Sequence, residues 1–508
     1  LGGDGACNLK LTEPHRAQKS LYYTSLYVVE MKRSAISRTA LWVIIAVVAI
    51  VVVVGGVAAY YATRPPPPKP TPTPTPTPTH AIVGQVTIGV VTCLTGGFGA
   101  NGEQILWGAQ LAVSQINSQG GIYLANGPNG PGNYTINLEW SDDQTSTSVG
   151  PTALLQLYTT YHPVAVIGSV DTEVVRAEDS LIQQYNIPYF TQCGETIGIN
   201  TYQNLTPILS NRMIFHDQNS LYYFGWDTVP FLLQYKNQIN PSGPIRIGAV
   251  GAADDPAFFV DMMDGLEQAI NYYHAQNEIQ VVDVENLPSY SYTTLQPTLT
   301  KFAQEGVNVM FTGLAPPQAT ALVQQAVDFP QLKGVTTIMW TPEEDVSWYS
   351  TINGPDANYL NIFIIAGYSE LSNTSVQSLN SIWQYSRDMY LAYTGKPLSD
   401  MGAYAMDNVY IIASALQLAG TTNPTAFINA VETLKPSQIP YPLTHVYVPF
   451  QPGDTIFGVS SSAGALWHST NQTLLFIEPR YNPSTQSVYT LVVWPPQYAT
   501  TQPILTTP

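Results

Sequence analysis

The chain has 508 residues, 18 Lys and Arg against 35 Asp and Glu, and a net charge of −17. That surplus of acid excludes a protein that grips the nucleic-acid phosphate backbone, which needs a basic face. Only 10% of residues are charged, against about 25% in an average soluble protein. Tyr (32 residues), Asn, Gln, Ser and Thr fill the deficit, so the surface is polar but mostly uncharged. Three cysteines, Cys7, Cys93 and Cys193, exclude a disulfide scaffold or a Cys-rich metal site, and the seven His show no HExxH-type spacing.

Residues 1–39 read as a leader. They open on Leu, and Met31 begins a basic stretch, MKRSAIS, that reads as the true start and resembles the short leaders of some archaeal binding proteins. Residues 40–62 (ALWVIIAVVAIVVVVGGVAAYYA) are uncharged and apolar. About 20 such residues at 1.5 Å rise cover the ~30 Å hydrocarbon core of a bilayer. Lys32, Arg33 and Arg38 precede the run, and only Arg64 and Lys69 follow it closely. The positive-inside tendency therefore places the N-terminus in the cytoplasm and the C-terminal domain outside, on a single-pass anchor in the cell membrane. A signal peptide cut near Val57–Ala59 is the alternative, and pilin-like processing near Ser37 a third reading. Residues 63–80 are Pro/Thr-rich, a stiff polyproline II spacer of roughly 3 Å per residue that could carry O-glycans. Sequons at Asn133, Asn204, Asn373 and Asn471 are candidate glycan sites if that domain is exported.

Residues 81–508 alternate strand and helix signals. Strand Val86–Val91 leads into a Gly-rich loop and helix Glu103–Ser118, then strand Tyr134–Trp140 and a helix through Leu154–Tyr161. Strand Val164–Ile167, helix Glu173–Tyr185 and strand Pro188–Thr191 follow. The rhythm then restarts with strand Ile245–Val250, helix Phe258–His274, strand Ile279–Val284 and helix Leu295–Glu305. Strand Val307–Thr312, helix Pro317–Asp328 and strand Thr336–Trp340 complete it. Two successive α/β units predict two lobes, each a parallel sheet covered by helices on both faces, with a cleft between. Ligands bind beyond the carboxyl ends of such strands. The loops to watch are therefore Thr95–Gly102, Ser169–Glu173, Gln192–Thr196, Ala252–Phe258, Leu287–Thr293 and Gly313–Pro317.

Gly97 to Gly102 matches G-x-G-x-x-G, with Asp142 placed like a ribose-binding acid, the mark of a dinucleotide enzyme. The loop starts too far past the strand and the acid lies about 40 residues on rather than ~20. A glycine-rich rim whose backbone approaches a ligand or the other lobe is the simpler reading. Asp142-Asp143 on an extended segment point to opposite sides and suit a helix cap better than a shared proton or ion. Asp254-Asp255-Pro256 reads as a turn and cap, and Glu343-Glu344-Asp345 as a solvated acid run or an ammonium-binding one. Cys93 and Cys193 both follow predicted strands, and a bridge between them depends on those strands being neighbours. No nucleophile elbow, P-loop or Cys/His catalytic set is present; no catalytic residue, cofactor or metal is expected.

VTIGVVTCLTGGFGANGEQILWGAQLAVSQINSQGGI closely resembles the opening of ABC-transporter solute-binding proteins of the branched-chain amino acid type. WSDDQTSTSVG, VAVIGSVDTE and the late stretch WQYSRDMYLAYTGKPLSDMGAYAMDNVYIIASALQLAG resemble further motifs of that family, in order, from residue 82 to about 480. The resemblance implies a type I periplasmic-binding fold, two lobes joined by three crossovers. Lobe 1 would span about 82–213 plus 372–445, and lobe 2 about 214–371 plus 446–500. It further implies a membrane-anchored extracellular receptor, without enzymatic activity, that feeds a small polar solute (an amino acid of branched-chain type or a related amide) to ABC permease subunits. A ligand-sensing or surface interaction protein on the same fold is the runner-up.

Carried over residue by residue, Ser169 and Thr172 match the hydroxyls of the family's carboxylate-binding loop, and Asn101 a rim position that is often aromatic. Cys193 and Glu195 fall where the family has small and Thr residues, with Thr196 one step on. Phe258 stands in for the lobe 2 tyrosine, and Tyr292 lies near the usual ammonium-binding acid. An acid at 195 and none at 292 means that the amino acid pocket is not preserved in its usual form.

Overall fold

The computed structural model describes residues 80–192, 202–203, 206–207, 213–216, 218, 221–253, 256–340, 348, 358–367, 377–439, 474–482, 484 and 487–505. Met31, the apolar run 40–62 and the Pro/Thr tract lie outside them, as do Cys193, Glu195, Thr196, Asn204, Asn373, Asn471 and both acid runs after residue 250. Among the described residues no helix is long and apolar enough to cross a membrane.

The first lobe is built on a six-stranded sheet. β1 (Ile82–Thr92) is its centre, with Ile88, Val90 and Val91 wholly buried, the continuous apolar run of a strand covered on both faces. α1 (Gly99–Ser118) follows, then β2 (Ile122–Leu124), β3 (Gly132–Asp142), α2 (Gly150–Tyr161) and β4 (Ala165–Ile167). α3 (Thr172–Tyr185), β5 (Tyr189–Thr191) and β6 (Ile214–His216) complete it, in the spatial order β2-β3-β1-β4-β5-β6. β1 pairs in parallel with both β3 and β4, Ile88 standing beside Leu138 on one side and Ala165 on the other.

The second lobe starts with α4 (Leu221–Ile239) and β7 (Ile245–Ala252), then α5 (Pro256–Tyr272), β8 (Ile279–Leu287), α6 (Gln296–Gln304) and β9 (Val309–Gly313). α7 (Pro316–Ala326), β10 (Thr336–Met339) and β11 (Asn361–Ala366) follow. The chain then returns to the first lobe for α8 (Gln377–Thr394), α9 (Asp400–Ala419) and α10 (Pro424–Thr433), where α9 packs on α1 and on β2. It crosses once more for β12 (Leu475–Asn482) and β13 (Ser487–Trp494), giving a seven-stranded sheet in the order β8-β7-β9-β10-β11-β12-β13. Phe231 of α4 stacks on Phe476 at 4.4 Å and meets Phe363 at 5.0 Å, so one helix covers the parallel and the antiparallel parts of that sheet.

Three expectations need correction. Both sheets are mixed rather than parallel: β2 runs antiparallel to β3, and β12 antiparallel to β11 and β13. Short links join β2 to β3 and β12 to β13, and a parallel pair would need a longer crossover. The lobe boundary drawn at 213/214 falls one strand early, because Ile214–His216 pairs with β5 at the edge of the first sheet. Asn133 is a poor glycan acceptor, since it is buried and its side-chain amide donates to the Gly120 carbonyl oxygen (3.0 Å).

Candidate functional site

Chain leaving β1 makes the first wall of the site. Cys93 is a buried free thiol that donates to the Phe98 carbonyl (3.2 Å), and burial pushes its pKa well up. β1 and β5 are separated by β4, so the strands preceding Cys93 and Cys193 are not neighbours. The Thr95 N–H and hydroxyl both donate to the Asp142 carboxylate (3.1 and 2.6 Å), and the Phe98 N–H donates to Thr145 Oγ1 (3.4 Å). Gly96, at φ +93°, lies against the Gln144 carbonyl, where a side chain has neither the space nor the conformation. Gly102, one turn into α1, rests on the Cys93 carbonyl in the same way. Of the glycines in the G-x-G-x-x-G match, Gly102 thus serves this chain's own backbone packing.

Asp142 and Asp143 do not cap a helix, contrary to expectation. They hold the turn that follows β3, Asp142 accepting from Gln144 N–H (2.9 Å) and Asp143 from Thr145 N–H (2.8 Å). Burial works against the Asp142 charge, but its bonds from Thr95 and Gln144 prevail and hold its pKa below the ordinary value. Asp143 is fully buried, and desolvation raises it to about 6.

The second wall is the loop from β4 into α3. Ser169 is buried; its N–H donates to the Tyr189 hydroxyl (3.0 Å), which in turn donates to Glu178 (2.5 Å). Asp171 is the N-cap of α3, its carboxylate accepting from the Val174 N–H (3.0 Å) while its own N–H donates to Ser169 Oγ (3.2 Å). Burial first, and then the charge of Asp143, push Asp171 upward as well. Thr172 opens the helix with its hydroxyl buried and without a hydrogen-bond partner.

The third wall comes from the other lobe. The Phe98 ring, the N-cap residue of α1, lies edge-on to Tyr290 (centroids 5.2 Å apart) and to Trp340 (6.0 Å). Trp340 also meets Phe258 of α5 (4.5 Å), and α3 packs against α5, so the two lobes touch along this seam. Gln318 of α7 braces the loop that carries Tyr290, donating to the Ser289 carbonyl (2.8 Å) and the Tyr292 carbonyl (3.3 Å).

Phe258 lies at the seam against Trp340, Ser169 and Thr172 lie buried in the loop and first turn of α3, and Asn101 is buried in the first turn of α1. Tyr292 is two residues beyond the ring that meets Phe98, and its carbonyl is engaged by Gln318. Phe98, Tyr290 and Trp340 were not among the expected residues. The available signal was an aromatic residue within a few positions of a strand's carboxyl end in three separate units.

A mixed two-lobed α/β fold with three chain passages, its seam at the strand ends, defines a hinged binding protein. The sequence pattern of the periplasmic binding protein family matches residues 85–445, and the chain belongs to that family, one of binding proteins rather than enzymes. Among solved structures it is similar to the branched-chain amino acid substrate-binding protein LivJ of Streptococcus pneumoniae in complex with isoleucine. They share 18% identity and a TM-score of 0.60, over 81% of this chain and 100% of that one. A solute-binding protein from Rhodopseudomonas palustris, in complex with 3,4-dihydroxybenzoic acid, matches with 13% identity and a TM-score of 0.61, over 83% and 98%. A fatty acid substrate-binding protein from Thermomonospora curvata matches with 14% identity and a TM-score of 0.59, over 84% and 95%. At these identities the shared property is the fold. No curated protein sequence matches the chain.

Proposed function

We propose that this chain is a membrane-anchored, extracellular receptor that captures a small polar solute between its lobes and delivers it to the permease subunits of an ABC importer. The observation that carries the reading is the meeting of Phe98 with Tyr290 and Trp340 across the lobe seam, above the carboxyl ends of the strands. A hinged pair of lobes that shuts on its ligand gives the importer a distinct loaded form to recognise. Support for the placement comes from the sequence: an uncharged run at 40–62, basic residues before it and a stiff spacer at 63–80.

The solute class that follows from the sequence resemblance is an amino acid of branched-chain type or a related amide. Similar structures were solved with isoleucine and with 3,4-dihydroxybenzoic acid, so aromatic acids belong beside those classes as candidates. The test is thermal unfolding of the full chain in detergent against amino acids, amides, aromatic acids, fatty acids and organic amines. A ligand at 100 times its Kd stabilises the folded form by about 2.7 kcal/mol, so one class should raise Tm by several degrees. A flat response across all classes overturns the receptor reading. Protease shaving of intact cells tests the outward placement, which predicts loss of the domain beyond residue 81.

A further inference from the structure

Resting on the receptor reading, we infer that the cleft takes an organic ammonium ligand that bears no carboxylate, its cation held against the aromatic rings of the seam. The argument begins at the N-terminus of α3. A helix N-terminus attracts an anion through its unpaired N–H groups and dipole. Here the chain supplies that anion itself: Asp171 caps the helix through the Val174 N–H, and Glu173 stands in the first turn. Ser169 Oγ accepts from the Asp171 N–H, and Ser169 also helps to stabilise the Asp143 charge, so its hydroxyl serves acids of this chain. Asp143 lies close enough to Asp171 to disfavour its charge further, and both lie close enough to act on the Cys93 thiol below Phe98. A ligand carboxylate brought here would meet like charge in a desolvated site, and an ammonium would meet opposite charge.

Among the described loop residues at the strand ends, no cation relieves that field. The described residues just beyond the strands, 93–98, 143–149, 168–172, 288–295, 314–315 and 340, contain no Lys or Arg. Arg176 pairs with Glu173 on the partly exposed side of α3 (3.6 Å), and Lys301 pairs with Asp283 (2.7 Å) on the second lobe's edge strand. The independent observation is the seam itself. Phe98, Tyr290, Trp340 and Phe258 gather four aromatic rings from both lobes, and ring faces attract cations, most strongly when water is excluded. Among the buried polar atoms without a hydrogen-bond partner are Thr172 Oγ1 and the Trp340 indole N–H. The indole can only donate, so the ligand also carries a hydroxyl or carbonyl oxygen.

Thermal unfolding and calorimetry of the full chain in detergent, with four probes, test this. Choline carries the cation and a hydroxyl; 3,3-dimethylbutan-1-ol is the same shape without the charge. Glycine betaine keeps the cation and adds a carboxylate, and leucine represents the amino acids. The expected result is binding of choline, with the neutral isostere and betaine at least about tenfold weaker, and Phe98→Leu weakening choline about tenfold. Betaine or leucine binding as tightly as choline overturns the inference but leaves the receptor reading standing, as does no binding of choline when another solute class binds. Silence across these probes and all classes of the wider panel overturns both.

Discussion

Gly108 of α1 lies directly against the backbone carbonyl of Gly402 of α9, so that a Cβ on Gly108 would overlap it. This contact joins the helix after β1 to one nearly three hundred residues later and fixes the chain's return to the first lobe. The second lobe repeats the device where Gly225 of α4 rests on the Met262 carbonyl of α5 and Gly265 rests on that of Tyr222.

Gly108→Ala decides between two opposed effects. Helix propensity favours Ala over Gly by about 1 kcal/mol. A methyl forced against backbone cannot be relieved by a rotamer change, and overpacking costs about 1–3 kcal/mol. The expected outcome is a lower Tm, by a few degrees, read in a thermal melt of the full chain. An unchanged or raised Tm would show that the two helices separate freely.

Much of the first half of each lobe was legible because its strands are short apolar runs and its helices end at recognisable signals. Gly120-Gly121 ends α1, and the restart at Ile245 marked the second unit. β2 and β11 were missed because three and six residues carry little periodicity of their own. α4 was missed because it is apolar almost all round, with Tyr222, Phe224, Trp226 and Phe231 all buried, so no polar face marks its period. Among the candidate residues, Ser169 and Thr172 could be singled out because a loop sequence carries them. Tyr290 and Trp340 could not, because their meeting with Phe98 depends on how two lobes face each other across some two hundred residues of chain.

Phe98→Ala should loosen that meeting. Each edge-on aromatic pair contributes about 0.5–1.5 kcal/mol beyond its buried area, and Phe98 makes two. Without ligand, the variant should expose Trp340, seen as greater fluorescence quenching by acrylamide than in the parent, with Trp340→Phe as the control that removes the signal. Equal quenching of parent and variant would mean that Phe98 does not hold the lobes together.

Glu178 gives the protein a pH dependence of definite sign. It is fully buried, one oxygen receives the Tyr189 hydroxyl, and desolvation raises its pKa to about 8 from an ordinary value near 4.5. Between those values the folded chain keeps a proton that the unfolded chain has released. Stability is therefore greatest below about pH 4.5 as far as this group is concerned, and falls as pH rises toward 8, by on the order of a few kcal/mol. Asp143 and Asp171 act in the same direction, but Asp143 at about 6 finishes its share two units lower. Glu178→Gln keeps the acceptor for Tyr189 and cannot ionise. Its urea midpoint should fall distinctly less than the parent's between pH 6.5 and 8, the remaining decline coming from Asp227, which burial raises to about 7, while both decline between pH 5 and 6.5. The amide's extra buried N–H groups lower the variant at every pH, so the slope and not the height of the curve is the measurement. Parallel slopes above pH 6.5 would assign the titration to another group.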